Sequence, residues 1–119
     1  MKTSEETARI AKLNDECRKT EEIRVTQKVF DSGISIGKIW KKIREVEIFD
    51  EDDGGEHDFG SFEIEGQSFV WTINYFSNDL QYASPDPSDA SVTKRVIASM
   101  TVEEWDKAAI KHISNRNLR

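Results

Sequence analysis

Phe62-Glu63-Ile64-Glu65-Gly66-Gln67-Ser68-Phe69-Val70-Trp71-Thr72-Ile73-Asn74-Tyr75 is the stretch that decides the fold. Two runs of β-forming residues, 62–64 and 69–75, flank Glu65-Gly66, a pair suited to a two-residue hairpin loop. With that loop, Phe62 sits opposite Phe69, and Phe62, Ile64, Phe69, Trp71 and Ile73 share one apolar face. A face of that width covers two packed helices. The chain therefore reads as α+β, with a three- or four-stranded, mainly antiparallel sheet around a central β-hairpin, and about four helices packed on one face. Trp40 and Trp71 belong to its core. Thr72 and Asn74 fall on the reverse face with Val70 and Phe76. Left uncovered, Val70 and Phe76 make an apolar patch for a homodimer or another partner.

Working outward, Thr3 and Glu6 have capping-box spacing, and Ile10, Leu13 and Cys17 recur on one face, which predicts a helix over 4–19. From Ile23 the period changes to two, so Ile23, Val25, Gln27 and Val29 face one way along a first strand. Asp31-Ser32-Gly33 is turn chemistry. Ser35 is placed to cap a second helix whose stripe is Ile36, Ile39, Trp40, Ile43 and Val46. Beyond the hairpin, Ser77-Asn78-Asp79 is a turn, and Leu80 to Ala83 reads as a short returning strand. Asp89 is placed to cap a helix carrying Val92, Val96, Ile97 and Met100. Thr101-Val102-Glu103-Glu104 is a second capping box and starts a last helix bearing Trp105, Ala109 and Ile113. The 114–119 tail is polar and reads as frayed.

The 119 residues fit one domain with a real core, and 36% hydrophobic content is too apolar for disorder despite 34% charged residues. No apolar run approaches the roughly 20 residues of a membrane span, and the polar N-terminus has no export signal. The single Cys17 cannot form an internal disulfide, which fits a reducing cytoplasm. Net charge is -6, with 17 basic and 23 acidic residues. Eight of those acids lie between Glu45 and Asp58, a segment without Lys or Arg. The remainder, 23 − 8 = 15 acids against 17 bases, is nearly neutral. Clustered like charges repel and do not help folding, so the acidic segment points to an outside partner. An acidic surface argues against direct nucleic-acid binding, and the implied partner is a protein with a basic surface.

The chemistry-bearing candidates gather at the end of that segment, Gly54-Gly55-Glu56-His57-Asp58-Phe59-Gly60. A calcium loop places Asp50, Asp52, Gly55 and Asp58 at the first, third, sixth and ninth positions, but Gly54, His57 and Ser61 fail at the fifth, eighth and twelfth. His57 between Glu56 and Asp58 suits a general base with an orienting carboxylate, or a divalent-metal ligand with Asp52 or Asp53, and Asp50 and Asp58 are further metal candidates. No complete catalytic or metal set accompanies it: there is no G-x-S-x-G, phosphate loop or H-E-x-x-H, and no cofactor is expected. The plainer reading gives His57 a structural role, its ring bonding a carboxylate and fixing where the loop enters the sheet. Binding candidates are Asp50, Asp52, Asp53, Glu56, His57 and Asp58, with Tyr75 and Asp79 around the second turn, where Tyr82 also lies.

Ile10-Ala11-Lys12-Leu13-Asn14-Asp15, Phe49-Asp50-Glu51-Asp52 followed by Gly55-Glu56-His57-Asp58-Phe59-Gly60, and Ser84-Pro85-Asp86-Pro87-Ser88-Asp89 form a recognisable set. With Thr93-Lys94-Arg95-Val96-Ile97, Met100 and Glu103-Glu104, they resemble a family of small alphaproteobacterial proteins known only as a domain of unknown function. The resemblance runs from Ala8 to Trp105 and implies a plasmid or mobile-element context, with no activity, substrate or cofactor attached. Two features depart from it: the loop between Asp53 and Gly55 is shorter, and Asn74-Tyr75-Phe76-Ser77 stands where Asp-Tyr-Tyr-Asp is expected. Any chemistry carried by those aspartates is impaired here. Three classes follow. The chain is a non-catalytic accessory or regulatory protein docking its acidic loop on a basic surface, in the setting of a mobile element countering host defence. Otherwise it is a small metal-dependent enzyme using Glu56, His57 and Asp58, or a structural subunit acting through its sheet face.

Overall fold

The computed structural model describes residues 3–47, 49 and 54–107. It is an α+β fold. Its elements are α1 (Ser4–Thr20), β1 (Ile23–Val25), α2 (Gln27–Phe30), α3 (Ile36–Arg44), β2 (Phe59–Ile64), β3 (Gln67–Phe76) and β4 (Lys94–Thr101), followed by α4 (102–107). The four strands form one sheet in the order β1-β4-β3-β2, antiparallel except for the β1/β4 pair. Among the described residues no helix is long and apolar enough to cross a membrane.

The hairpin has the register read from the sequence, with Phe62 opposite Phe69 and their rings stacked at 5.4 Å. Glu65 and Gly66 both take positive φ (52° and 78°), the twist a two-residue loop needs between right-twisted strands. On the helix-facing side, Phe69, Trp71 and Ile73 cluster with Cys17, Ile39 and Ile43, all buried. Trp71 explains a glycine. Its indole lies across from Gly60, where a Cβ would come within 2.4 Å of Nε1, so no larger residue fits there. Trp40 is only partly buried at the core margin, with the Arg44 guanidinium 4.7 Å over its ring.

The Thr101/Glu104 capping box forms in full, and at α1 the Thr3 side-chain half of the Thr3/Glu6 box forms. Thr3 Oγ1 accepts from the Glu6 amide at 3.1 Å, and Thr101 and Glu104 bond reciprocally at 3.0 and 3.1 Å. Ser35 occupies the start of α3 without a side-chain cap bond; its carbonyl accepts from Lys38 and Ile39 instead.

Four expectations are corrected. The first strand ends at Val25, because Thr26 Oγ1 accepts from the Val29 amide and starts α2, so Gln27 and Val29 are helical. The helix expected after Asp89 is a three-residue turn, Ala90–Val92, and Val96, Ile97 and Met100 lie in β4, an interior strand. Leu80 to Ala83 contributes a single bridge, Phe76 to Ala83, rather than a strand. Finally, the reverse face of the sheet is not open at Val70, which is 2% exposed. Trp105 of α4 packs on Phe59 at 5.0 Å, and the register puts Phe59 on that reverse face, so the helices are not confined to one side. Ala109, Ile113 and the 114–119 tail lie outside the described residues.

Candidate functional site

The buried face of α1 is not uniformly apolar. Asn14 and Arg18 are 0% and 1% exposed, on the same stripe as Ile10 and Cys17. A polar group buried this deeply costs stability unless it is hydrogen-bonded, and both side chains have partners; of their polar atoms only Arg18 Nε lacks one among the described residues. Arg18 Nη1 donates to the carbonyls of Ile43 and Val46 at 3.1 and 3.0 Å. Its Nη2 meets Asp15 Oδ1 at 2.6 Å. The guanidinium also sits 5.0 Å over Phe49 and 5.5 Å over Trp71, favourable for a cation against ring faces.

Asp15 connects this arginine to the Gly-Glu-His-Asp-Phe-Gly run. Its Oδ1 and Oδ2 are 3.0 and 3.2 Å from His57 Nδ1, and the imidazole stacks on Phe49 at 4.0 Å with an interplanar angle of 3°. With the proton on Nδ1 the ring donates to that carboxylate. His57 has φ 58°, a left-handed conformation that an isolated histidine adopts at some cost. The carboxylate beside the ring thus comes from 42 residues upstream.

Glu56 is held separately. Asn14 Nδ2 donates to the Glu56 carbonyl and to Tyr75 Oη, each at 2.8 Å, while Tyr75 Oη donates to Glu56 Oε1 at 2.8 Å. Arg95 Nε donates to Asn14 Oδ1 at 2.7 Å, its Nη2 to the Pro87 carbonyl at 2.6 Å, and its guanidinium lies 5.1 Å over the Tyr75 ring. Burial pulls the Arg95 pKa down, opposed by the nearby Tyr75, Cys17 and Glu56. Burial likewise pushes the Tyr75 phenol up beyond the ordinary tyrosine range; the Asn14 bond opposes this, and Glu56 and Asp58 add to it.

Of the residues singled out in the sequence, Glu56, His57 and Tyr75 come together here. Asp79 does not. It sits in its own exposed turn, where the Ser77 hydroxyl and the Gln81 amide hold its pKa below the usual carboxylate range. Asp50, Asp52 and Asp53 lie outside the described residues, and with them the first half of the calcium-loop reading. Among the described residues no three His, Cys, Asp or Glu side chains gather as metal ligands. Asn14, Asp15, Arg18 and Arg95 were not found as site residues by sequence reasoning. The available signal was polar residues recurring at i and i+4 inside an apolar helical stripe. Beside Glu56 runs a groove of ≈ 670 Å³, with Glu6, Ile10, Pro85 and Asp86 also on its walls.

The raised Tyr75 pKa has a testable sign. Folding favours the neutral phenol, so the contribution is complete below the ordinary tyrosine pKa and is lost as pH rises through the higher folded value. Thermal melts in an alkaline series should show wild-type stability falling past the ordinary tyrosine range, with that component missing in Tyr75→Phe. At neutral pH the same variant should be about 1–3 kcal/mol less stable, since Asn14 and Glu56 lose a shared partner. Superimposable alkaline profiles would remove Tyr75 from the network.

The family model described as Protein of unknown function (DUF3768) matches residues 7–104, and the chain belongs to that family. No curated protein and no solved structure matches it.

Proposed function

We propose that this DUF3768 member is a non-catalytic accessory or regulatory binding protein that docks its acidic segment, residues 45–58, onto a basic protein surface. One observation carries the reading: a single helix grips both ends of the segment. Arg18 takes the Val46 carbonyl at one end, while Asn14 and Asp15 take Glu56 and His57 at the other. Phe49 stacked on His57 closes the two ends against each other. Glu56, through its carbonyl and Oε1, and His57, through Nδ1, are therefore tied into the protein as anchors suited to presenting a charged loop. The groove beside Glu56, with Glu6 and Asp86 on its walls, adds carboxylates to the same region. Clustered negative charge steers a basic partner and raises association rates in a salt-dependent way. The mobile-element setting implied by the resemblance makes a host nucleic-acid-handling defence protein the partner class, with the acidic segment imitating a phosphate backbone.

The test neutralises the segment while sparing its anchors: Glu45→Gln, Glu47→Gln, Asp50→Asn, Asp52→Asn and Asp53→Asn together. Folding should be unchanged or slightly firmer by thermal melt, because like-charge repulsion is removed. A basic partner captured by the wild type, identified and purified, should bind the variant at least about tenfold more weakly at low salt. Its salt dependence should flatten as well. Unaltered affinity and salt slope would end the docking reading.

A second reading rests on the 3.0 Å contact between Asp15 and a His57 side chain that is 30% exposed. That is the geometry of a general base with its orienting carboxylate, or of a metal ligand with its outer-shell partner. Equilibrium dialysis against Zn²⁺, Mn²⁺ and Ca²⁺ separates the two. Stoichiometric binding lost in His57→Ala favours the enzyme; no binding at tens of micromolar metal leaves the loop as a docking surface.

A further inference from the structure

The two edges of the sheet are finished differently. β1 has three residues, carries Arg24, and is cut short by the Thr26 cap of α2, all features that blunt an edge. β2, at the opposite edge, has six residues in unbroken register, Phe59-Gly60-Ser61-Phe62-Glu63-Ile64, with no proline or bulge and one charged side chain, Glu63. A two-residue loop makes Ile64 and Gln67 a hydrogen-bonded pair, and alternation extends this to Phe62/Phe69 and Gly60/Trp71. The bond from the Ile73 amide to the Asp58 carbonyl, 2.8 Å, has the same phase. The amides and carbonyls of Phe59, Ser61 and Glu63 consequently point away from β3. Among the described residues no other backbone group bonds them, and Ser61 and Glu63 are exposed.

We propose that β2 is a self-association edge: two copies of this chain pair antiparallel along β2 about a two-fold axis at Ser61, joining their four-stranded sheets into one. The strand is self-complementary in this register. The three outward-facing residues are spaced evenly around Ser61, so Ser61 meets Ser61 of the second copy and Phe59 meets Glu63. All outward amides and carbonyls of the three residues are then satisfied, and no carboxylate faces another. Centring the axis on Gly60 or Phe62 leaves one of the three residues unpaired. Self-pairing also removes the exposed ladder that makes a flat edge a hazard.

Analytical ultracentrifugation of the full chain at about 100 μM should show a dimer, an affinity in the range of an interface this small. Ser61→Pro removes an amide that points outward and takes no part in the β2/β3 ladder, so circular dichroism should stay as in wild type while dissociation becomes about tenfold easier or more. Ser61→Cys should cross-link into a covalent dimer on mild oxidation, since a hydrogen-bonded pair holds its Cα atoms about 5.5 Å apart, within disulfide reach. The native Cys17, 6% exposed, does not compete. If Ser61→Pro fails to fold, Ser61→Lys, which sets like charges face to face, is read in its place and should weaken the dimer. A wild-type monomer at this concentration, or a dimer whose affinity ignores the substitution that is read, overturns the proposal.

Discussion

Trp71→Ala should lose about 3–5 kcal/mol of stability in urea or thermal unfolding, a large share of what a domain of this size possesses. Trp71 is fully buried, pairs with Gly60 and Ser99 across the β2/β3 and β3/β4 ladders, and lies T-shaped to Phe49 at 6.2 Å. Truncation opens a cavity at the crossing of β2, β3 and the Arg18 guanidinium, and Gly60 has no side chain with which to fill it. Trp71→Phe should cost much less. It keeps most of the apolar volume and removes a buried Nε1 that has no hydrogen-bond partner among the described residues. A Trp71→Ala protein as stable as wild type would take the residue out of the core and sink the hairpin register with it.

The second large effect belongs to Arg18. Arg18→Ala should cost about 3–5 kcal/mol, because it strands the carbonyls of Ile43 and Val46 and leaves the Asp15 carboxylate without its 2.6 Å partner. Arg18→Met should recover part of this by keeping the apolar stem against Phe49 and Trp71. Hydrogen exchange gives a sharper readout than the melt: amides around 45–49 should lose protection in both variants, since neither donates to Val46. Stability within about 1 kcal/mol of wild type for Arg18→Ala would mean that the carbonyls find other donors and that α1 does not hold the segment. Such a result would also remove the observation on which the docking reading stands.

Local signals were legible because their physics is local. Glu65-Gly66 set the hairpin loop and hence the Phe62/Phe69 register, and the boxes Thr3/Glu6 and Thr101/Glu104 marked two helix starts. The stripe Ile36, Ile39, Trp40, Ile43 gave α3. Each needs only residues within a turn or two of each other. At the site, Glu56 and His57 stood out for the same reason, as ionisable groups in a short glycine-bounded run.

What tertiary structure decided is the strand identity of 94–101 and the company His57 keeps. Val92, Val96, Ile97 and Met100 fit a helical stripe as well as a strand, and sequence period alone does not choose between them. The choice went to β4 because β3 offers a full antiparallel ladder from Phe69 to Phe76 on one side and β1 a parallel one on the other. Hydrogen bonds to two partners outweigh a local helical preference. At Thr26 the balance went the other way: its hydroxyl takes a local bond from the Val29 amide, starting α2 and ending β1. The clamp of Asn14, Asp15, Arg18 and Arg95 was invisible because, apart from Arg18–Asp15 and Arg95–Pro87, its bonds span 25 to 81 residues. By itself the sequence determined the hairpin, two capped helix starts and the place where charge concentrates. Only the packed fold decided which polar side chains of α1 face inward to hold that charge in place, because burial and long-range pairing exist only once the sheet and helix have met.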